Sequence, residues 1–231
     1  MPDLQEIYDK HGDQYELLIS REDYQGNIFR ALHRIRPLEG MDVVDLGAGT
    51  GRLTCMLAPM VKSIQAFDIS QHMLDVAIAK LEHSGLQNWR VGVADHRELP
   101  LENQVADVVI AGWSIVYAAI WCDGTWQEEL GKALAEMKRV LRPGGTIIIL
   151  ETLGTGYETP QPPEELKAYF AYLEEHGFSS TWIRTDYRFE SLAEAEGLAR
   201  FFFGDELAAK VVKNNWVILP ECTGIWWLRL E

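Results

Sequence analysis

Alternating glycines and an acidic residue mark the first place in the sequence where chemistry is suggested. Gly47, Gly49 and Gly51 lie in the stretch VVDLGAGTGRL, residues 43–53, behind an apolar run that ends in Asp45. Glycine lets another group approach the backbone where a side chain would obstruct it. A glycine-rich turn between a strand and a helix also presents backbone N–H groups that suit a polar or anionic ligand. The spacing therefore predicts a ligand site at this turn.

Two further aspartates end strand-like segments. Asp68 lies in SIQAFDIS, residues 63–70, and Asp95 ends WRVGVAD, residues 89–95. Ligands of parallel α/β sheets bind outside the carboxyl ends of the strands, where the strand order reverses. Both acids and the glycine turn are thus predicted to meet at one edge of a sheet.

The elements that must position these residues alternate between strand-like and helix-like patterns. Apolar runs at 42–47, 63–70, 89–95, 106–114 and 146–151 read as strands. Helical segments follow the glycine turn, run from Gln71 to Ser84, and run from a capping box at Thr125 and Glu128 to about Leu141. This rhythm predicts a parallel sheet with helices on both faces. GIWWLRLE at the end of the sequence reads as one more strand.

Composition and charge exclude several classes of function. The 231 residues carry a formal net charge of −14, which would repel nucleic acid. The three cysteines have no CxxC spacing, which argues against a zinc site or a disulfide framework, and the scattered acids contain no clear metal-ligand set. No apolar run is long enough to span a bilayer, and no signal-peptide pattern opens the sequence. We expect a cytoplasmic protein without a metal.

A nicotinamide dinucleotide is the first rival ligand for the glycine turn. Its fingerprint is GxGxxG or GxGxxA, in which the last small residue permits close packing of helix and strand. Here the spacing is GxGxG, and Arg52 stands where the last small residue would be. The dinucleotide interpretation is therefore disfavoured.

Four motifs in order resemble those of the class I S-adenosylmethionine-dependent methyltransferases. VVDLGAGTGRL is similar to the first motif of that family, and FDIS followed by HML resembles its second-strand acid and helix start. ADHRELPL is similar to its third-strand acid and Leu-Pro turn, and MKRVLRPGGTIIILE resembles the lead into its fifth strand. The closest resemblance is to the small-molecule methyltransferases of quinone biosynthesis. It implies a Rossmann-like, doubly wound, mostly parallel seven-stranded sheet with an antiparallel C-terminal strand.

The resemblance also implies contacts to S-adenosylmethionine. The glycine turn would run beside its methionine part, Asp45 would hold its amino group through a water molecule, Asp68 would take both ribose hydroxyls and Asp95 would accept from the adenine amino group. The backbone N–H of His96 would lie beside that amino group, and its side chain is expected to face solvent. The complete predicted cofactor-binding set is Asp45, Gly47, Ala48, Gly49, Gly51, Asp68, Ile69, Met73, Asp95, His96 and Trp113.

The methyl acceptor is expected beside the loop after the fourth strand, AGWSIVYAAIW. That loop lacks the Asn/Asp-Pro-Pro-aromatic tetrad of amino-group methyltransferases. Cytosine C5 methylation uses a Pro-Cys nucleophile, but Cys122 follows a tryptophan. Cys122 is therefore expected to be a half-buried apolar residue. Trp113, Tyr117 and Trp121 recur every four residues, which fits either one wall of an aromatic pocket or core packing.

Three residues are the candidates for catalysis or for contact with the acceptor. Tyr15 belongs to an N-terminal segment that resembles the family's lid, as does Tyr8, and a docking helix with buried tyrosines is the other interpretation. Tyr117 lies in the fourth-strand loop, and Glu151 ends the fifth strand.

The predicted organisation has three parts: a helical lid over residues 1–38, a cofactor-binding core over 39–151, and a C-terminal part over 152–231 that completes the sheet and carries a substrate-selective helical insertion. The predicted function is methyl transfer by in-line displacement to a small aromatic or amphipathic acceptor, in a monomer or homodimer without nucleic acid. A cofactor-binding regulatory protein without turnover, or a protein methyltransferase, are the alternatives.

Overall fold

A computed structural model of the chain describes residue 7 and residues 10–117 and 124–231. Two helices precede the first strand: α1 (Gly12–Ser20) and α2 (Asn27–Ile35). The central helices are α3 (Arg52–Leu57), α4 (Gln71–Ser84) and α5 (Trp126–Val140). A 3-10 turn, Glu164–Leu166, leads into α6 (Lys167–Glu175), and α7 (Leu192–Phe203) and α8 (Asp205–Asn214) follow.

Seven strands form one sheet, in the order β3-β2-β1-β4-β5-β9-β6. They are β1 (Asp42–Leu46), β2 (Ser63–Asp68), β3 (Trp89–Val93), β4 (Ala106–Gly112), β5 (Leu141–Thr155), β6 (Ser179–Arg184) and β9 (Glu221–Arg229). All run parallel except β9, which is antiparallel to both of its neighbours. A separate two-stranded antiparallel sheet pairs β7 (Tyr187–Arg188) with β8 (Ile218–Leu219). The predicted fold class, including the antiparallel C-terminal strand, is confirmed.

The sheet has an apolar layer on each face. On one face α5 and α6 bury Met137 and Leu173 against β4, β5 and β9. On the other face α2 and α3 bury Leu32 and Leu57 against β1, β2 and β4. Because helices cover both faces, the middle strands read as continuous apolar runs in the sequence.

The strand order reverses between β1 and β4, and this places the ligand site. The chain winds from β1 to β2 and β3 on one side and then returns to β4 on the other. The loops that follow β1 and β4 diverge there, which leaves a crevice at the carboxyl ends of the strands. The predicted glycine turn follows β1, as expected.

Some local predictions were wrong. Thr125 precedes α5, but its side chain makes no capping hydrogen bond. The fifth strand begins at Leu141, so the RPGG segment belongs to β5. The N-terminal segment predicted as a helical lid, residues 1–38, has two helices within its described residues: α1 ends at Ser20, and Asp23 accepts hydrogen bonds from the first N–H groups of α2.

Candidate functional site

A cavity of about 410 Å³ opens at the carboxyl ends of β1, β2 and β4. This volume is in the range of small-molecule sites. Both tyrosines that were predicted to close the acceptor side, Tyr15 and Tyr117, line it. Of the predicted cofactor-binding residues, the following line it: Asp45, Gly47, Ala48, Gly49, Asp68, Ile69, Met73, Asp95, His96 and Trp113. The three ligand motifs that lie up to 50 residues apart in the sequence therefore meet in one cavity.

The glycine turn adopts a backbone that side chains oppose. Gly47, Gly49 and Gly51 have φ angles of 66°, 54° and 79°, in the left-handed region that glycine adopts most easily. A Cβ atom on Gly47 would overlap the side chain of Ser114. A Cβ atom on Gly51 would lie 2.8 Å from the Cβ of Ala77 in α4. Gly51 does not line the cavity: its role is the close approach of α3 and α4.

Asp68 is held with both carboxylate oxygens oriented by the backbone. The Gly49 N–H donates to Oδ2 and the Ser70 N–H donates to Oδ1, each at 2.8 Å. Each oxygen keeps a further lone pair that can accept a hydrogen bond. The carboxylate is therefore fixed beside the glycine turn and can accept from two vicinal hydroxyls of a ligand.

Asp45 is a buried carboxyl with one oxygen that lacks a partner. Only 1% of the residue is exposed, and Thr54 donates to Oδ2 at 2.5 Å. Oδ1 has no hydrogen-bond partner in the described part of the chain. Burial, reinforced by the nearby Asp68, raises the pKa of Asp45 to about 7 despite the Thr54 hydrogen bond. A ligand ammonium group would satisfy Oδ1, so this orphaned atom fits the amino group of S-adenosylmethionine.

Two apolar side chains, Ile69 and Met73, lie beside the place where the adenine ring of the cofactor is expected. Ile69 is 72% exposed, which is the largest exposure of any large apolar residue in the described chain. Met73, one turn into α4, is buried, with its Cε near Gly49. An exposed isoleucine at the mouth of a cavity is stabilised when an apolar ligand surface covers it, as an adenine ring would.

Asp95 is tied to Arg97. The Arg97 guanidinium donates to both carboxylate oxygens of Asp95 at 2.8 and 2.5 Å, and Arg97 also pairs with Glu129. The hydrogen bonds from Arg97 hold the pKa of Asp95 down at about 2. Asp95 is therefore ionised at neutral pH and presents a fixed acceptor at the rim of the cavity.

The side chain of His96 was expected to face solvent, and this was wrong. Its imidazole lines the cavity, and Nε2 lies 3.1 Å from the point where a Cβ atom on Gly47 would be. Burial lowers the pKa of His96 below its ordinary value, although Asp68 and Asp95 oppose this shift. The ring is therefore neutral at pH 7.

Trp113 and Tyr117 line the cavity in the loop that follows β4. Trp113 has a φ angle of 52°, which is uncommon for a residue with a bulky side chain. Its ring packs under the guanidinium of Arg52, 4.3 Å from the ring centroid. Trp121 and Cys122 lie outside the described residues, so their predicted roles stay predictions.

Arg52 and Glu22 are site residues that the sequence analysis missed. Arg52 lines the cavity, and its Nη1 pairs with Glu22 Oε2 at 2.7 Å. Their side chains are only 14% and 4% exposed. Arg52 was examined only as a departure from the dinucleotide fingerprint. The available signal for Arg52 as a site residue was its positive charge in a motif whose other residues are mostly small or apolar.

The N-terminal segment that carries Tyr15 is attached to the core at a second place. Lys80 of α4 pairs with Glu16 at 2.6 Å and donates to the carbonyl of Thr50 at 3.0 Å. The ring of Tyr15 lies 5.8 Å from that of Phe202. The segment thus closes one side of the cavity, between the glycine turn and α7.

Glu151 does not line the cavity. It is 1% exposed, and its Oε1 accepts from the Val116 N–H at 3.1 Å and from the Tyr169 hydroxyl at 3.2 Å. Burial raises its pKa to about 8. Glu151 therefore supports the turn that carries Tyr117 from behind.

The described residues contain neither a metal-binding cluster nor a helix that could span a membrane. No group of three or more His, Cys, Asp or Glu side chains in residues 10–117 and 124–231 could hold a metal ion. In the same part of the chain, every helix is too short or too polar to cross a bilayer.

The comparisons with known proteins agree with this geometry. A family model described as a methyltransferase domain matches residues 43–145. The malonyl-[acyl-carrier protein] O-methyltransferase of Marinomonas sp. (strain MWYL1) is 30% identical over 84% of this chain and 65% of its own length. The ubiquinone/menaquinone biosynthesis C-methyltransferase UbiE of Idiomarina loihiensis is 34% identical over 48% of this chain and 43% of its own length. The chain thus spans about half to two thirds of these relatives.

A solved structure shows the same fold. The crystal structure of a SAM-dependent methyltransferase from Aquifex aeolicus has a TM-score of 0.55 and 20% identity, over 86% of this chain and 87% of that one. The orphaned oxygen of Asp45, the oriented carboxylate of Asp68 and the glycine cradle all lie in the residues that the methyltransferase domain matches. The chain is therefore similar to the S-adenosylmethionine-dependent methyltransferases, and S-adenosylmethionine is the cofactor that this similarity implies.

Proposed function

We propose that this chain transfers a methyl group from S-adenosylmethionine to a small aromatic or amphipathic acceptor by in-line displacement. The observation that carries the proposal is the continuity of the cavity. The residues that fit the cofactor and an aromatic wall of Trp113, Tyr117 and Tyr15 line the same space. A cofactor and an acceptor bound there would share one enclosure.

The bound cofactor supplies an activated methyl group on a sulfonium, and the chain supplies position. Asp68 would hold the ribose through its two oriented oxygens, and Asp45 would hold the amino group. Alignment of donor and acceptor at about 3–3.5 Å can lower a barrier by roughly 7–11 kcal/mol. The lid segment with Tyr15 excludes water from the reacting atoms.

The names of the relatives support a small or carrier-bound acceptor. One relative is named for a malonyl-[acyl-carrier protein] and another for quinone biosynthesis. The aromatic wall of the cavity favours a planar acceptor of the second kind. The net charge of −14 disfavours nucleic acid, and a basic protein acceptor is the alternative that the charge favours.

The proposed function goes with a proposed division of the chain into three parts. We infer a lid over residues 1–38, a cofactor-binding core over 39–151 and an acceptor-selective C-terminal part over 152–231, which contributes β6 and β9 to the sheet. The cytoplasmic location also stays a prediction.

The test is calorimetry with S-adenosylhomocysteine, the demethylated cofactor. Wild type is expected to bind at micromolar concentration, and Asp68→Ala is expected to weaken binding at least 100-fold, because two hydrogen bonds to a charged group are lost. Asp75→Ala is the matched control, since Asp75 is an exposed acid on α4. Absence of wild-type binding, or equal affinity of the Asp68 and Asp75 variants, would contradict the cofactor half of the proposal.

The acceptor half needs a separate assay. A short-tailed demethylated naphthoquinol, a malonyl thioester and a basic protein extract are offered with labelled cofactor. Label in the naphthoquinol or the thioester supports the small-molecule acceptor. Label only in protein favours the protein methyltransferase. Tight cofactor binding with no labelled product from any acceptor favours the regulatory alternative.

A further inference from the structure

His96 is a neutral base inside the cavity that the family motifs do not account for. The resemblance assigns only its backbone N–H. Of the six histidines in the chain, His96 is the one that lines the cavity. Neither ring nitrogen makes a hydrogen bond to another residue in the described part of the chain, so both are open to a ligand.

The position of the His96 imidazole ring favours contact with the reacting groups. Nε2 of His96 and the side chain of Ser114 both approach the same point above Gly47. Gly47 belongs to the methionine half of the cofactor cradle, and Ser114 begins the turn that carries Tyr117. The Ser114 hydroxyl donates a hydrogen bond to the carbonyl of Leu46 at 2.8 Å. It therefore does not donate to the His96 imidazole. Nε2 of His96 thus lies beside the glycine turn and near Ser114, the residue at which the loop with Tyr117 begins.

We propose that His96 is the general base of the reaction and that the acceptor is a phenol or enol whose hydroxyl proton it removes. The inference rests on the proposed function. The O–H bond breaks, the proton goes to a ring nitrogen of His96, and the electron pair left on the acceptor forms the bond to the methyl carbon. The electrons of the carbon–sulfur bond go to sulfur, which becomes a neutral thioether.

The same step covers methylation at oxygen and at the neighbouring carbon. If the ring carbon beside the hydroxyl takes the methyl group, the hydrogen on that carbon moves to the oxygen and restores the hydroxyl. In both cases one proton leaves through His96, which then releases it to water.

The charged groups around the ring suit this role. Asp68 at the end of β2 and Asp95 beside it stabilise the imidazolium that forms, while Arg97 opposes it. Burial keeps the ring neutral before the reaction. A base of this kind contributes about 10²–10⁴-fold.

The experiment compares His96→Gln with His83→Asn, which changes an exposed histidine at the end of α4. S-adenosylhomocysteine affinity is measured by calorimetry, and turnover of a short-tailed demethylated naphthoquinol is measured by mass spectrometry. We expect His96→Gln to keep its affinity within threefold, to lose at least 100-fold in kcat, and to lose the fall in kcat/KM toward acid pH that is expected of wild type. His83→Asn should behave like wild type.

A readout independent of turnover is the NMR titration of the histidine rings in the S-adenosylhomocysteine complex. The signal that disappears in His96→Gln is expected to titrate below the ordinary value of 6.5. A signal that titrates above 6.5, unchanged kcat, or a loss of cofactor affinity that accounts for the whole effect would overturn the proposal.

The two proposals can fail separately. Absence of S-adenosylhomocysteine binding by wild type removes the proposed function itself. Cofactor binding with transfer only to acceptors that have no ionisable hydroxyl leaves the methyltransferase proposal standing and removes the role of His96.

Discussion

The proposed cofactor side and the proposed acceptor side of the cavity are built in different ways. On the cofactor side, each ligand group comes from a short segment at the end of a strand, such as Gly47 after β1 or Asp68 at the end of β2. On the acceptor side, the wall is assembled from distant segments. Arg52 packs on Trp113, Glu22 reaches Arg52 from the lid, and Glu151 supports the turn from behind.

This difference shows which site features a short stretch of sequence is sufficient to predict. A positive φ angle or a strand-end carboxylate is a property of a few adjacent residues, so a motif can specify it. A buried ion pair between residues 22 and 52 depends on how two elements pack. Mutations should therefore act on ligand affinity on the first side and on assembly on the second.

The largest expected effect concerns the glycine cradle. Gly47→Ala should weaken S-adenosylhomocysteine binding about 1000-fold or more, because the new Cβ atom overlaps Ser114 at a φ angle of 66°. Gly85→Ala is the matched control: its φ angle is 72°, but nothing lies within 4 Å of the new atom. Calorimetry on both variants separates steric obstruction from backbone strain.

The proposed difference between the two sides of the cavity would be contradicted if Gly47→Ala and Gly85→Ala had the same affinity for S-adenosylhomocysteine. Equal losses of affinity would mean that strain alone explains the cradle. A Gly47 variant with nearly wild-type affinity would mean that the turn does not approach the ligand.

The second effect concerns the acceptor side. Arg52→Met should lower the free energy of unfolding by about 3 kcal/mol, because it leaves the carboxylate of Glu22 buried without its partner. Lys80→Met, which breaks the more exposed pair with Glu16, should cost about 1 kcal/mol or less. Urea unfolding measures both.

A double variant sharpens this result. Arg52→Met combined with Glu22→Gln should recover part of the loss, since no unpaired charge remains buried. A double variant whose loss equals the sum of the single losses would show that the two residues do not interact.

The smallest expected effect comes from the support behind Tyr117. The raised pKa of Glu151 means that the folded protein holds a proton that the unfolded chain releases above about pH 4.5. This side chain therefore destabilises the fold increasingly from about pH 4.5 to about pH 8. Glu151→Gln should remove that cost and raise the free energy of unfolding by about 2 kcal/mol at pH 8, with no gain near pH 4.5.

Thermal unfolding at the two pH values checks this prediction. The gain should appear as an increase in Tm of several degrees at pH 8 only. Tyr169→Phe is the control for the hydrogen bond to Glu151, because it removes the donor and leaves the carboxyl in place. The same change in Tm at both pH values for Glu151→Gln would contradict the raised pKa.

The sequence predicted the sheet correctly because the sheet rests on local patterns. The apolar runs, the helix from Gln71 to Ser84 and the antiparallel last strand are all confirmed. The predicted ligand contacts have not been tested, but the structure brings Asp45, Asp68 and Asp95 to one cavity as the motifs implied.

The remaining site residues depend on packing that the sequence does not show. The direction of the His96 side chain depends on the space left by Gly47, and Glu151 lies behind the acceptor turn because β5 is covered there by α6. No periodicity carries this information. Thr125 shows the converse, since a suitable capping residue made no capping hydrogen bond.

The pair of Arg52 and Glu22 limits how the parts of this chain could be exchanged. An N-terminal segment without an acid at position 22 would bury the guanidinium of Arg52 without a counter-charge. Arg52 itself begins the helix after the glycine turn and packs on Trp113. An exchange of the N-terminal segment therefore has to include residue 52, so this segment and the glycine turn have to be exchanged together.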